Sequence, residues 1–362
     1  MPKNSSPLPP GSIIGILGGG QLGRMLALAA ARLGLKTHIY DPDPQAPAFD
    51  VTPRCTVAAY DDQTALAAFA DAVDIVTYEF ENVPAETARF LTRLKPLRPG
   101  ANALAVAQDR LAEKTFLTLH RIPVASFAAI PDLDALDAAL LELGAPAVLK
   151  TTRLGYDGKG QRLVRNDGDA GLAFETLRPK PLVLEQFVEF EREISVVVAR
   201  AGSGEIAAYD AAENVHSDHI LKTSTVPAAI SRRTAKMARE LAERIAEALG
   251  YVGVLGVEFF VLRDGNLLVN EIAPRVHNSG HWTEAVCICD QFEQHIRAIA
   301  GWPLGDPSRL ADVVMENLLG EEIALLPESP TATRPHAYGK AEARPGRKMG
   351  HRTLVKGTTR RR

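Results

Sequence analysis

A short apolar run that opens into three consecutive glycines constrains this chain more than any other feature. Ile13 to Leu17 is strand-like, Gly18-Gly19-Gly20 follows, and Gln21 to Leu33 has helical periodicity. Glycine allows so tight a passage from strand to helix, and the helix N-terminus behind it offers unpaired N–H groups to an anion. Asp41 closes the next strand, Thr37 to Tyr40, so Gly18, Gly20, Gly23 and Asp41 nearly complete a dinucleotide fingerprint. A phosphate or ribonucleotide site on the same helix end competes with that reading, as does a plain tight turn packed on a sheet. Gln21 and Arg24 on the first helical turn, and Glu79 after a third strand, fall at the carboxyl edge where open α/β sheets bind ligands.

The alternation continues: Ala65 to Val73 reads as helix, Ile75 to Tyr78 as strand and Ala85 to Leu94 as helix. Short strands between helices mean a parallel sheet covered on both faces. Beyond about residue 100 the pattern changes. One long helix is expected over Ala103 to Leu119, an extended segment over Ile122 to Ile130, a helix to Leu143 and a strand from Ala147 to Lys150. Leu182 to Phe187 is another strand. Glu193 to Arg200 and Glu205 to Asp210 suit a hairpin, and Ala229 to Leu249 an amphipathic helix stopped by Gly250.

With 362 residues the chain has room for two or three domains at about 150 residues each. A net charge of −3 gives no general attraction to nucleic acid or anionic membrane, and no apolar run reaches the length of a membrane span. Cys55, Cys287 and Cys289 have neither the number nor the spacing of a disulfide framework or zinc knuckle, and read as reduced thiols of a cytoplasmic protein.

A second glycine-rich stretch carries more chemistry. Lys150 ends a strand, and Gly155, Gly158 and Gly160 follow, with Lys159 between them, before Gln161 and a further extended segment. This is not a P-loop, but a strand–glycine–strand lid can close on phosphates through backbone N–H groups while Lys150 offsets charge. A mobile solvent-facing hairpin is the alternative.

Farther on, Asp264-Gly265 reads as a two-residue hairpin turn. It would set Glu258 directly opposite Glu271. Facing carboxylates repel unless a cation lies between them, and carboxylate oxygens suit Mg²⁺. Arg275, after Pro274, could clamp an anionic oxygen. His277 and His281 lack a third zinc ligand of suitable spacing.

Seven segments in order resemble the ATP-grasp fold, and more closely the N5-carboxyaminoimidazole ribonucleotide synthases, ATP- and bicarbonate-dependent enzymes of purine biosynthesis. They are GGGQLGRM from Gly18, YEFENVP from Tyr78, KTTRLGYDGKGQ from Lys150, EQFVEFEREISV from Glu185, ENVH from Glu213, NEIAPRVHNSGHWT from Asn270 and GRKMGH from Gly346. The resemblance implies a mixed α/β and α+β chain. It would have a disordered leader (1–11), a Rossmann-like pre-ATP-grasp domain (12–100), a grasp body (101–300) with a mobile lid near 145–200, a small C-terminal domain (301–355) and a basic tail (356–362). It also implies a homodimer with no membrane or nucleic-acid partner.

By resemblance, Arg110, Lys150 and the lid residues Gly155, Tyr156, Asp157, Gly158, Lys159, Gly160 and Gln161 meet ATP phosphates. Glu185, Gln186, Phe187 and Val188 hold adenine through their backbone and Glu193 the ribose, while His216, Asn270 and Glu271 complete the nucleotide site. Glu258 and Glu271 bind Mg²⁺ or Mn²⁺. Gln21 and Glu79 meet 5-aminoimidazole ribonucleotide. Arg347 and Lys348 neutralise its phosphate or the carboxylate in transfer. Arg275 and Lys348 hold bicarbonate and carboxyphosphate, and Asp157 orients the amine or assists its proton loss. Another ATP-grasp carboxylate–amine ligase would share the ATP and metal residues without requiring Gln21, Glu79 and Lys348. An NAD-dependent dehydrogenase would use only the first glycine loop, and a non-enzymatic binding protein would form no ADP.

Overall fold

The computed structural model describes residues 6–153, 155 and 158–358. Among these residues three sheets form. The first contains β1 (Ile13–Leu17), β2 (Lys36–Asp41), β3 (Cys55–Val57) and β4 (Ile75–Tyr78), all parallel in the order β3-β2-β1-β4. Ile14, Ile16 and Leu17 are wholly buried because α1 (Gln21–Arg32), α2 (Gln63–Asp71) and α3 (Ala85–Thr92) cover the sheet. The expected long helix from Ala103 is instead two, α4 (Ala101–Ala107) and α5 (Arg110–Leu119). Asp109 breaks it: its carboxylate accepts from the N–H groups of Leu111 and Ala112, capping α5, while Arg110 donates its own N–H to Thr152 O.

A small antiparallel sheet follows, from β5 (Phe127–Ile130), β6 (Ala147–Thr151), β7 (Gln161–Val164) and β8 (Leu182–Gln186), ordered β5-β8-β6-β7. With α6 (Leu133–Leu143) and α7 (Asp167–Leu177) it encloses its own core of Ile130, Leu136, Leu140, Leu149, Phe174 and Leu184.

The third sheet is the largest. Its strands are β9 (Arg192–Arg200), β10 (Ile206–Ala208), β11 (Ala212–Ser217), β12 (Ile220–Val226), β13 (Gly253–Val261), β14 (Leu267–Ala273), β15 (Ala311–Leu319), β16 (Thr333–Ala337) and β17 (Lys348–Thr358). The order is β14-β13-β9-β11-β12-β15-β17-β16, with β10 on β9. The strands beyond residue 300 therefore join the body's sheet through the β12–β15 pair. Leu241, Ala242 and Ile245 of α8 (Arg232–Ala248) pack beneath it.

The β13–β14 hairpin departs from expectation twice. Leu262 N–H bonds Asn266 O and Gly265 has φ 80°, so its loop holds three residues, Arg263 to Gly265, not two. That would slip the pairing by one. A bulge between Glu258 and Phe259 leaves Asn270 unpaired and restores the register, so Glu258 does stand opposite Glu271.

The expected disordered leader is anchored from Leu8, whose N–H bonds Ala300 O and whose carbonyl accepts from Trp302 Nε1. Residues after Thr358 in the basic tail lie outside the described residues. Helix α9 (Thr283–Val286) precedes α10 (Gln291–Ala300), which packs Phe292, Ile296 and Ile299 into one core with Leu22, Met25 and Leu26 of α1. Asp290 caps α10 by accepting from Phe292 and Glu293 N–H, and pairs with Arg32 at 2.5 Å. Asp290→Ala should lower the free energy of urea unfolding by about 1–2 kcal/mol through the lost cap. Arg32→Ala, which removes only a half-exposed partner, should cost under about 1 kcal/mol.

Candidate active site

At the first glycine loop the α1 N-terminus is already filled. Glu79 accepts from Gly20 N–H at 2.6 Å and Gly23 N–H at 2.7 Å, and Asp41 accepts from Gly19 N–H at 2.6 Å. A Cβ on Gly18 or Gly20 would lie within 2.5 Å of the Glu79 side chain, so these glycines make room for a carboxylate. The dinucleotide and phosphate readings of this helix end therefore fail: the protein supplies its own anion. Burial pushes the Glu79 carboxyl up, against the two backbone bonds and Arg275. Gln21 is half-buried on the next turn, and Arg24 is turned aside to Pro47 O and Asp50.

The second loop lies over a cluster of buried charge. Glu185 on β8 accepts from Lys150 of β6 at 3.0 Å and lies 3.2 Å from Lys114 of α5, both through Oε2. Its Oε1 is buried without a partner among the described residues. Burial alone would raise the Glu185 carboxyl, but the two lysines hold it below its usual range; burial lowers Lys150 despite Glu185. Arg110 stands 3.5 Å from Glu271 and donates to Gly155 O of the lid at 3.3 Å. Gly160 O accepts from Thr151 N–H, folding the lid back on β6. The predicted lid residues Tyr156 and Asp157 lie outside the described residues. Gln186 and Phe187 use their N–H groups on Ser126 O and Pro146 O, and Val188 follows at the end of this strand.

Between these regions Glu258 faces Glu271. Burial, then the Glu271 charge, push the Glu258 carboxyl up to about 7. Two opposed carboxylates with one reluctant to ionise make a donor set that fits a divalent cation. Glu193 holds His216 at 2.8 Å; burial opposes protonation there, but Glu193 raises the imidazole overall. Asn270 is the bulged residue beside Glu271.

His277 does not form a zinc pair with His281. Its Nε2 lies 3.4 Å from Glu258, and its Nδ1 is bonded to Ser279, itself bonded to Ser195. Burial, Arg275 and Lys348 drive it down to about 3. His281 instead bonds Gln291.

At the far end Arg275 forms a two-pronged pair with Glu81, whose carboxyl it brings down to about 2 against the cost of burial. Lys348 acts electrostatically on Glu258, His216 and His277. Its carbonyl accepts from Lys340 Nζ at 2.7 Å. Burial, with Arg347 and Lys348 nearby, lowers Lys340 to about 8, while Glu79 opposes the shift. Arg347 donates to Glu342 O.

Sequence reasoning missed Glu81, Glu113, Lys114 and Lys340. Lys114 was findable, four residues after Arg110 and so on the same helix face. Glu113, three residues after Arg110, shares that face too, whereas Glu81 and Lys340 carry no such helical sign.

Three family models match in order: the ribonucleotide synthetase preATP-grasp domain over residues 12–108, the ATP-grasp domain over 115–292 and the phosphoribosylaminoimidazole carboxylase C-terminal domain over 313–361. The fold and site thus define an ATP-grasp protein. A relative from Brucella melitensis, named N5-carboxyaminoimidazole ribonucleotide synthase, is 56% identical over 97% of this chain and 98% of its own. An N5-carboxyaminoimidazole ribonucleotide synthetase solved with ADP is 42% identical, covering 97% of this chain and 94% of that one, with TM-score 0.94. An Aspergillus clavatus N5-carboxyaminoimidazole synthase solved with ADP and 5-aminoimidazole ribonucleotide is 31% identical over 96% of this chain and 94% of its own, with TM-score 0.90. The chain belongs to the N5-carboxyaminoimidazole ribonucleotide synthase family.

One consequence of the buried charge can be titrated. Burial raises the Glu113 carboxyl from 4.5 to about 8, against Lys114 and the bond it accepts from Ile272 N–H. The folded state therefore keeps a proton that the unfolded chain releases. The stability this contributes is complete below pH 4.5 and lost as pH rises toward 8. Glu113→Gln should remove that decline, so urea unfolding from pH 5 to 8 should show wild type losing stability relative to the variant, with a slope of at most one proton.

Proposed function

We propose that the chain carboxylates the exocyclic amine of 5-aminoimidazole ribonucleotide, consuming ATP and bicarbonate and releasing ADP and phosphate. The observation that carries this is the convergence of a facing carboxylate pair, Glu258 and Glu271, with Arg110 and Lys150 on one side and Glu79, Lys340, Arg347 and Lys348 on the other. The first group suits a nucleotide triphosphate, the second an anionic ribonucleotide.

A bicarbonate oxygen attacks the γ-phosphorus of ATP, and ADP leaves as carboxyphosphate forms. Arg110, Lys150 and the Gly155–Gln161 lid offset charge on the phosphates, while Glu193 takes the ribose, His216 bonded to that glutamate completes the nucleotide site, and the Glu185 to Val188 segment takes adenine. Glu258 and Glu271, beside Asn270, would hold Mg²⁺ or Mn²⁺, which supplies positive charge to the phosphate oxygens.

Carboxyphosphate is labile in water, which gives the lid its purpose. It breaks to CO₂ and phosphate, and the amine nitrogen attacks the carbon and loses a proton as the carbamate forms. Lys348 and Arg275 hold the one-carbon anion. Arg275 acts from its pair with Glu81, lending charge in a preset orientation. Gln21 and Glu79 meet the ribonucleotide, and Asp157 orients its amine. Lys340 joins Arg347 and Lys348 around the ribonucleotide phosphate. The same reading takes the enzyme as a cytoplasmic homodimer with the three-part division at residues 100 and 300. No helix among the described residues is long and apolar enough to cross a membrane.

The test is ADP formation with Mg-ATP and bicarbonate, with and without 5-aminoimidazole ribonucleotide. Turnover that requires the ribonucleotide, with the carbamate as product, is expected; turnover only with another acceptor would make this a different ATP-grasp ligase. Glu271→Gln should cut turnover by about 10²–10³ with the fold intact. Lys150→Ala should raise the KM for ATP or lower kcat about tenfold, and unchanged constants would make that lysine structural.

A further inference from the structure

Outside this site, the last two strands bring ligating side chains against the body. His336 on β16 and His351 on β17 are directly paired across the ladder, with near-parallel rings 5.2 Å apart. Glu284 on α9 reaches them: its Oε2 is 3.2 Å from His336 Nδ1 and 4.0 Å from His351 Nε2. One donor atom from each of the three lies within 4.8 Å of the others. The Tyr338 hydroxyl bonds His351 Nδ1 at 3.0 Å, which leaves Nε2 as the nitrogen on the Glu284 side.

A second observation concerns the same cluster. The His281 ring lies 5.0 Å from that of His351 and is fully buried. Its Nδ1 meets Gln291, and its Nε2 has no partner among the described residues. A buried imidazole nitrogen without a partner among the described residues thus lies next to His351, on the buried side of a cluster whose Glu284 is exposed.

We propose that Glu284, His336 and His351 form a site for a transition-metal dication of the Zn²⁺ type, joining β16 and β17 to α9. Two imidazoles and one carboxylate are the donors such ions favour, whereas Mg²⁺ and Ca²⁺ take oxygen almost exclusively. Tetrahedral zinc bonds of about 2.0–2.2 Å set neighbouring donor atoms roughly 3.3 Å apart. The Glu284–His336 separation already meets that value, the Glu284–His351 separation exceeds it by under about 1 Å, and all three donor atoms lie within 4.8 Å of one another. Tyr338 orients His351 as an outer partner orients a metal-bound histidine. Three protein ligands leave a fourth position for water. β17 begins at Lys348, three residues before His351, so an ion holding His351 to α9 would also hold that lysine in place.

The experiment uses untagged full-length protein, stripped with chelator and titrated with Zn²⁺ in excess Mg²⁺, with bound metal counted by mass spectrometry. One zinc per chain and a higher Tm are expected. His336→Ala and Glu284→Gln should each weaken binding at least tenfold and abolish the Tm gain, with unchanged circular dichroism, while Glu271→Gln should leave zinc binding intact. If a variant unfolds, Co²⁺ absorption of wild type decides, because histidine ligation gives a visible tetrahedral band. No stoichiometric zinc, binding that survives both substitutions, or a cobalt spectrum like that of the free ion would overturn the proposal. Loss of zinc in Glu271→Gln would instead assign the metal to the catalytic carboxylates.

Discussion

Two carboxylates held face to face on one hairpin are the constraint around which the rest is arranged. Glu258 and Glu271 oppose each other on one hairpin, and the burial of Glu258 sharpens the repulsion it feels from the Glu271 charge. Such a pair persists only where positive charge is gathered around it. Arg110 approaches from α5, His216 from β11 and Lys348 from β17, so three separate stretches of chain supply the compensation. The fold brings together groups that none of its single elements could assemble.

The neighbouring ion pairs follow the same logic. One oxygen of Glu185 serves two lysines, and Arg275 grips Glu81 with two nitrogens. Buried pairs of this kind contribute little net stability, because desolvation offsets their attraction, but losing one partner strands the other at high cost. Their value is orientation. Lys150, Lys114 and Arg275 stand ready before any ligand arrives, so little reorganisation is left for the moment when charge moves to the phosphate oxygens.

How much of this could be read beforehand depends on the range of the interactions. Local signals served well: β1 and β4 fall where apolar runs and glycines placed them, and Gly250 ends α8 with a positive φ. The facing glutamates were anticipated through a compensating pair of departures, a loop one residue longer and a one-residue bulge at Asn270, and neither had a distinct local sign. Asp109 was a legible cap inside a stretch read as continuous helix. The first glycine loop misled for a different reason. Its spacing suits any anion at a helix end, and nothing near Gly18 shows that Glu79, distant in sequence, fills the seat. Glu81 lies inside the YEFENVP segment, but nothing local shows that it pairs with Arg275, far along the chain, and only the fold brings Lys340 near Glu79.

The largest sheet explains how the two halves of the site meet. β12 pairs with β15 and β15 with β17, so backbone hydrogen bonds run without a break from the strand beside His216 to the one that begins at Lys348. The strands beyond residue 300 are therefore held in register with the hairpin that carries the two glutamates. The small sheet that carries the lid has its own core and lies outside this ladder. The strands that carry the second glycine loop thus share no ladder with the carboxylate pair or with Lys348. That separation suits an enzyme that shields a water-sensitive intermediate, since the loop that covers the site and the strands that set the carboxylate spacing belong to different sheets.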